Sequence, residues 1–268
     1  MPAVEELYGE IWAGEEALDA ELDRSLEPRG TDWLFTVFAE LGPERGQLVV
    51  DVGARDARHT IRLVREHGLR AVALDPVPLH VELATRAVTE AGLEREIEVV
   101  EAAVEALPLA DGAADWIWCR DVLPHVRLAE GFAECARVLR PGGRMLTYVT
   151  LATEDLEPRE AARLSDGVAV RPESMDPAAV EAAAADAGLT LVSVTRLGGE
   201  WRERMVEDGA WDAGAALLRL SRLRRNEAAL VELHGRGRVE AYRAGVLWGV
   251  YQLLGKLCPT VYVWERRA

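Results

Sequence analysis

Cysteine is scarce in this sequence, and no two cysteines have the spacing of a metal-binding or redox pair. Cys119, Cys135 and Cys258 are odd in number and far apart, with no CxxC among them. This pattern argues against a disulfide framework and against a structural zinc site, and it is typical of proteins from a reducing compartment. We therefore expect a cytoplasmic protein that binds no metal.

Basic residues are also in deficit. The chain has 31 Lys and Arg residues against 46 Asp and Glu residues, which gives a formal net charge of −15. Because nucleic acids and anionic bilayers attract basic surfaces, this balance argues against both as partners. A small neutral or cationic molecule remains as the expected partner, bound by a monomer or a homodimer.

Long apolar runs are missing as well. The longest run near the C-terminus, residues 244–254, is too short and too interrupted to cross a bilayer. The segment 1–14 is acidic and has no apolar centre, so we expect no signal peptide. A length of 268 residues with 49% hydrophobic and 29% charged side chains suits one soluble α/β domain with an elaboration.

Glycine is absent where a dinucleotide-binding loop would need it. Residues 48–60 read as a strand, a turn at Gly53 and a helix, which is the opening unit of a doubly wound sheet. Of the six positions of a G-x-G-x-x-G motif that starts at Gly53, only the first is glycine. Asp51 and Asp56 would also repel a pyrophosphate at close range. This turn therefore favours a ligand without a phosphate group.

A second strand, residues 70–75, also ends in an acid. Asp75 follows Gly53 by 22 residues, close to the spacing at which an acid meets the ribose hydroxyls of a nucleoside. S-adenosylmethionine (SAM) has a ribose, no phosphate, and cationic sulfonium and amino groups, so it suits both acidic strand ends. The alternative is that the loop is an ordinary turn, since any parallel α/β protein could contain it.

Four segments in register resemble the class I SAM-dependent methyltransferases. Residues 51–59, with the sequence DVGARDARH, are similar to the first motif of that family, and Asp75 is similar to the acid that ends its second strand. Residues 105–125 resemble the fourth-strand region of the small-molecule branch related to ubiquinone and menaquinone biosynthesis methyltransferases. Residues 138–146 are similar to the turn of that branch into strand five, so the resemblance covers roughly residues 45–150.

The resemblance implies which residues bind SAM and its product S-adenosylhomocysteine. Asp51 and the Gly53 backbone would face the methionine amino group, Arg55 would pair with the methionine carboxylate, and Asp75 would bind the ribose hydroxyls. Arg55 and Ala57 stand where the family usually has glycine, and Ala103 stands where it often has an acid for the adenine amino group. The residues expected to bind the cofactor are Asp51, Gly53, Ala54, Arg55, Asp75, Pro76, Val104, Glu105, Arg120 and Tyr8.

The order of apolar segments predicts the fold. We expect a Rossmann-like, doubly wound α/β sheet of seven strands with an antiparallel last strand, N-terminal helices and a helical cap inserted before the last strand. The predicted division is an N-terminal helical lid (1–42), a SAM-binding core (43–200), the cap (201–257) and the final core strand (258–268). Residues 151–175 read as an irregular, polar part of the acceptor rim.

Large aromatic side chains outside the sheet predict where an acceptor would bind. Trp201 and Trp248 fall in the cap, which would form a mostly apolar pocket over the cofactor. The alternative is a cap that only packs on the sheet edge or forms a dimer contact. Tyr8 and Trp12 either cover the sulfonium or the acceptor, or serve as core anchors on an amphipathic helix. The basic run 219–225 reads as a solvated helix face.

His125 is the predicted catalytic residue. It follows the fourth strand by six residues, in a loop that would face the donor, and a histidine can accept a proton near neutral pH. The alternative is a histidine that is hydrogen-bonded at a helix start. Arg120 or Asp121 could contact the methionine tail or the acceptor, and His59 is expected to be a cofactor neighbour or a packing residue.

Together these patterns predict a SAM-dependent methyltransferase. The methyl group would go to an O, N or C atom of a small aromatic or hydrophobic metabolite, as in secondary metabolite biosynthesis. The residues expected to bind this acceptor are Trp12, His125, Trp201 and Trp248. Two alternatives remain open. One is a SAM-fold enzyme that catalyses a non-methylating reaction such as cyclisation, and the other is a non-enzymatic SAM-binding regulator.

Overall fold

A seven-stranded sheet forms the centre of the protein, in the strand order β3-β2-β1-β4-β5-β7-β6. The computed structural model describes residues 4–267, except for the side chains of residues 5, 7 and 10–14. The strands are β1 (Leu48–Val52), β2 (Arg70–Asp75), β3 (Ile97–Glu101), β4 (Ala114–Arg120), β5 (Leu139–Ala152), β6 (Leu189–Arg196) and β7 (Leu257–Arg266).

Helices lie on both faces of the sheet and before its last strand. Those up to the sixth strand are α1 (Val4–Leu22), α2 (Thr31–Glu40), α3 (Arg58–His67), α4 (Pro78–Ala91), α5 (Leu128–Val138), α6 (Pro158–Val168) and α7 (Pro177–Asp186). Between β6 and β7 are α8 (Glu200–Glu207), α9 (Ala213–Arg225), α10 (Glu227–His234) and α11 (Arg236–Leu253). These four helices are the cap that the sequence predicted.

Strands β1 to β5 pair in parallel, and β7 is antiparallel to both β5 and β6. The carboxyl ends of the five parallel strands therefore meet at one edge of the sheet, which is where ligands bind in doubly wound folds. The predicted fold class is confirmed, including the antiparallel last strand and the cap. The predicted division of the chain into lid, core, cap and final strand stays a prediction.

Two apolar layers hold the sheet. One face packs against α5 and α7 through a cluster that includes Phe132, Val180 and Trp264. The other face packs against α2, α3 and α8, with Phe38 and Trp118 nearly or fully buried between them. Because both faces are covered at the centre of the sheet, β1, β2 and β4 are buried along most of their length, whereas the edge strand β6 is largely exposed.

The segment expected to be irregular, residues 151–175, instead contains helix α6. Glu157 and Glu160 form a reciprocal capping box at its start, and Pro158 occupies the first turn. A capping box satisfies two backbone N–H groups that a helix start leaves free, so this local signal stabilises the helix despite its polar sequence. Within the described residues, no helix is both long enough and apolar enough to span a membrane.

Candidate active site

The loop after β1 is anchored to the end of β2. The N–H groups of Gly53 and Ala54 both donate to the carbonyl oxygen of Leu74, at 2.8 and 2.9 Å. Gly53 has φ +74°, and a Cβ atom there would lie 2.2 Å from Cγ2 of Val122, in the loop after β4. Only glycine fits both the left-handed backbone and this close approach. The loops that follow β1 and β4 are thereby packed against each other.

Arg55 and Ala57 adopt the backbone conformation that glycine would supply. Their φ angles are +52° and +53°, in the left-handed region. Left-handed residues other than glycine cost about 1 kcal/mol or more each, so the surrounding contacts must hold this turn in place. The departures from glycine at these two positions therefore add strain to the loop while preserving its left-handed turn.

Asp51 is a buried carboxyl group at the centre of the site. It is 2% exposed, and its Oδ2 accepts a hydrogen bond from Thr60 Oγ1 at 2.5 Å. Burial raises the pKa of Asp51 to about 7, while Thr60 and the charge of Arg120 oppose this rise. Asp75 and Asp56 raise the pKa further. A cationic group placed here would favour the ionised form of Asp51. The ionised carboxylate is the form that would attract the amino group of SAM.

Asp75 lies at the end of β2 and is 6% exposed. Its Oδ2 accepts the N–H of Arg55, and its Oδ1 accepts the N–H of Val77, each at 3.0 Å. Oδ1 also lies 3.0 Å from Nδ1 of His80. A carboxylate oxygen accepts about two hydrogen bonds, so Oδ2 keeps one position for a ribose hydroxyl, and a second contact at Oδ1 requires His80 to turn away.

The loops after β2 and β3 contain the other residues expected to contact the nucleoside of SAM. Pro76 is exposed directly after Asp75, whereas Val104 is 4% exposed and begins a short 3-10 helix, residues 104–106. The first N–H groups of such a helix have no partner inside it, so those of Val104 and Glu105 can serve as donors. These donors suit a ring nitrogen of adenine. The adenine amino group needs an acceptor instead, and with alanine at position 103 the nearby carboxylate is that of half-buried Glu105.

Arg120 and Trp201 come together although they are 81 residues apart in the chain. Trp201 is 3% exposed and packs on Tyr148, with ring centroids 4.6 Å apart. The Arg120 guanidinium lies over both rings, 5.6 Å from the Tyr148 centroid and 5.8 Å from that of Trp201. A cation held over aromatic faces keeps its charge available to a ligand, here beside Asp51.

A chain of polar contacts that sequence reasoning missed links the cap to the strand ends. Arg202 Nε donates to Gln252 Oε1 at 2.5 Å, and Gln252 Nε2 donates to Thr150 Oγ1 at 3.0 Å. The N–H of Thr150 donates to Asp121 Oδ1 at 3.1 Å, and burial raises the pKa of Asp121. The sequence signal for this contact chain is Gln252, a lone amide in an otherwise apolar stretch of α11, whose side chain is 1% exposed.

His125 lies in a short 3-10 helix, residues 123–125, and is exposed. Its Nδ1 is 3.2 Å from the carbonyl oxygen of Ala169, just after α6. Because a carbonyl oxygen only accepts, Nδ1 carries the proton in this contact and Nε2 is left as the acceptor. This is the tautomer that a general base needs.

The structure places the remaining predicted residues in different surroundings. Trp248 is half-buried in α11 and packs with Leu164 and Val170, in a separate cluster from Trp201. Tyr8 in α1 is 56% exposed, and the side chain of Trp12 lies outside the described residues. Their expected roles stay predictions.

His59 behaves as a packing residue. Its ring meets the edge of Phe35 at 5.1 Å and of Trp118 at 5.7 Å. Burial, together with the charge of Arg120, lowers the pKa of His59 to about 3, so the ring is neutral at physiological pH. Cys119 and Cys135 are fully buried thiols. Among the described residues, no cluster of three or more His, Cys, Asp or Glu side chains is arranged to hold a metal ion.

Comparison with known proteins assigns part of this chain to a family. Residues 50–147, which contain the loops after β1, β2, β3 and β4, match the methyltransferase domain family. This part of the chain is a methyltransferase domain of class I. The match confirms the resemblance seen in the sequence and supports SAM as its cofactor.

Two relatives of this methyltransferase domain are named for methylation of small amino acids. The chain is 28% identical over 158 residues to dimethylglycine N-methyltransferase of Parasynechococcus marenigrum, covering 57% of this chain and 56% of the relative. It is 29% identical over 155 residues to sarcosine/dimethylglycine N-methyltransferase of Halorhodospira halochloris, covering 55% of each. The chain thus spans about half the length of the curated relatives it matches.

A solved structure shares the fold over a longer stretch. Geranyl diphosphate C-methyltransferase from Streptomyces coelicolor, in complex with Mg2+, geranyl diphosphate and S-adenosyl-L-homocysteine, superimposes with a TM-score of 0.67. The alignment covers 88% of this chain and 78% of that one, at 14% sequence identity. At this identity the likeness establishes the fold alone, including part of the chain beyond the matched domain.

Proposed function

We propose that this protein is a SAM-dependent methyltransferase that methylates an O, N or C atom of a small organic acceptor in the cytoplasm. The observation that carries the proposal is the loop after β1, which keeps a left-handed turn at Arg55 and Ala57 without glycine. Strain of this kind persists where the surrounding structure requires the conformation. SAM, when bound, supplies a methyl group that is already activated by its sulfonium.

The residues of this chain would bind and orient the two reactants. Asp75 accepts a ribose hydroxyl through Oδ2, the N–H groups of Val104 and Glu105 face the adenine, and Asp51 faces the methionine amino group. Arg55 or Arg120 would pair with the methionine carboxylate, since both guanidinium groups are exposed next to the loop. Alignment of an acceptor with the methyl group then supplies much of the rate.

The acceptor would lie between the strand ends and the cap. Arg120, Trp201 and Tyr148 form one wall, and His125 stands on the loop that follows β4. For a hydroxyl or ammonium acceptor, Nε2 of His125 would remove the proton, while the Ala169 carbonyl holds Nδ1–H in place. The names of the relatives suggest small amines as the first acceptors to test, followed by small aromatic and apolar metabolites.

Binding of S-adenosylhomocysteine tests the donor site. We expect the native protein to bind it with a clear rise in melting temperature, and we expect Asp75→Ala to lose that rise. Glu101→Ala is the matched control, because Glu101 ends the neighbouring strand β3 beside Asp75 but is exposed. Equal shifts in the native protein and in Asp75→Ala would show that this strand end does not hold the nucleoside.

Methyl transfer itself is tested by incubating the protein with SAM and a panel of acceptors. We expect mass spectrometry to detect a product heavier than its acceptor by one methyl group in place of a hydrogen. Product formation should depend on Asp75 and be retained in Glu101→Ala. If SAM is consumed and no methylated product forms with any acceptor, a non-methylating reaction would replace this proposal.

A further inference from the structure

A groove with a basic rim lies on the cap, between α9, α10 and α11. Its volume is ≈ 790 Å³, within the range of small-molecule sites. The apolar floor contains Leu223 and Val239, each 5% exposed, together with half-buried Leu230. The rim and walls are formed by Arg219, Arg222, Arg225, Asn226, His234, Arg238 and Tyr242.

Each of the three helices contributes one face to this groove. On α9 the lining residues include Arg219 and Arg222, three positions apart, and on α11 they include Arg238 and Tyr242, four positions apart. Residues at these spacings lie on the same side of a helix. Leu230 of α10 lies between them in sequence and faces the same space. The basic run expected to be a solvated helix face is exposed, but part of it is also gathered around a concave apolar surface.

The groove arginines have no counter-ions among the described residues. Over the part of the chain that the structure describes, the side chains of Arg219, Arg222, Arg225 and Arg238 form no hydrogen bond or ion pair. Two carboxylates on the same helices are already held by Arg243: Glu227 at 2.6 Å and Glu240 at 3.0 Å. In a chain with a net charge of −15, four unpaired guanidinium groups around one groove form a local site for negative charge.

The groove is separate from the methyltransferase site. Gln252, near the C-terminal end of α11, contacts Thr150 at the edge of the sheet, whereas Arg238 is near the opposite end of the same helix. Fourteen residues separate the two positions, which corresponds to about 21 Å along an α-helix. A molecule in the groove would therefore bind on the far part of the cap, away from the loops that follow β1 and β4.

We propose that this groove binds a small amphipathic anion, with a phosphate or carboxylate head and an apolar tail. The tail would cover Leu223, Leu230 and Val239, which removes apolar surface from water. The head would meet Arg222 and Arg238, since guanidinium groups match phosphate and carboxylate oxygens with paired N–H donors. This second binding site goes beyond the proposed methyl transfer and does not depend on it.

Calorimetric titration with octyl phosphate, below its micelle concentration, tests the site. We expect saturable binding of one molecule per chain. Octanol has the tail without the charge and inorganic phosphate has the charge without the tail, so each should bind at least about tenfold more weakly. Absence of saturable octyl phosphate binding, or equal binding of octanol, would overturn the proposal.

Paired variants locate the binding. The double variant R222Q/R238Q should weaken octyl phosphate binding by about tenfold or more, because two charged contacts are lost. R224Q/R236Q is the matched control, since it removes the same charge from exposed positions on the same two helices that do not line the groove. Equal weakening in both double variants would indicate a general charge effect and overturn the assignment. The single variant R219Q, measured alongside, should weaken binding in the same direction and less.

Discussion

Replacing Asp51 by asparagine is expected to change how the stability of this protein depends on pH. The folded protein holds the Asp51 proton up to a pKa of about 7, whereas the ordinary aspartate value is 3.8. Between these two values, unfolding releases a proton, so the folded state loses stability as pH rises. This loss is absent below pH 4 and complete above pH 7. Asparagine has no proton to release, and its Oδ1 can still accept the hydrogen bond from Thr60.

The size of the effect follows from the pKa difference. A shift from 3.8 to about 7 corresponds to roughly 4 kcal/mol of unfolding free energy between acidic and neutral pH, as an upper bound for this group. The physical cause is burial, because the ionised carboxyl loses its hydration and only Thr60 and Arg120 compensate in part. Asp51→Asn should therefore gain stability relative to the native protein as pH rises from 4 to 8.

Urea unfolding at several pH values between 4.5 and 8 measures this difference. We expect the native and Asp51→Asn curves to diverge steadily up to about pH 7 and then to run in parallel. Asp166→Asn, a change in an exposed carboxylate of α6, is the control and should follow the native protein throughout. If Asp51→Asn also follows the native protein at all pH values, then Asp51 is ionised across the whole range and its burial costs far less than inferred here.

Two further predictions concern the loops around the same site. Arg55→Gly should raise the free energy of unfolding by about 1 kcal/mol in denaturant titrations, because glycine adopts φ +52° without strain. The control Arg86→Gly, in helix α4, should lower the free energy of unfolding by a similar amount. A loss of stability in Arg55→Gly would refute the strain argument. His125→Gln should lower kcat for a hydroxyl acceptor by about a hundredfold or more and leave S-adenosylhomocysteine binding unchanged. The control His234→Gln should leave kcat unchanged. An unchanged kcat in His125→Gln would show that His125 takes no part in the chemistry.

The parts of the site that could be predicted lie within single strand-loop-helix units. Gly53 directly follows β1 and Asp75 is the last residue of β2, and the parallel pairing of these two strands brings their ends to one edge of the sheet. Asp176 caps helix α7, and its side chain accepts the N–H of Ala178 at 3.0 Å. These features depend on interactions between near neighbours, so the local order of apolar, acidic and turn residues is enough to indicate them.

The same reasoning overlooked helix α6 for a local reason. Its capping signal, Glu157 with Glu160, was present in the sequence, but the polar composition of residues 151–175 favoured a loop. Helix starts are stabilised by satisfied N–H groups as well as by apolar spacing, and in this segment the capping box acts together with the packing of Leu164 in an apolar cluster. The consequence for the site is direct, because Ala169 at the end of α6 supplies the carbonyl that orients His125.

The sequence by itself determined the doubly wound fold of a methyltransferase domain with an antiparallel last strand, its acidic strand ends and the presence of a helical cap. Only the tertiary structure decided the environment of those groups. The burial of Asp51 depends on the packing of β1 against neighbouring elements such as α3, which supplies Thr60. The contact of Arg202 with Gln252 and the gathering of unpaired arginines around an apolar groove depend on how the cap helices pack. Such contacts join residues of different helices and strands, and their energies come from desolvation and charge, which no local pattern encodes.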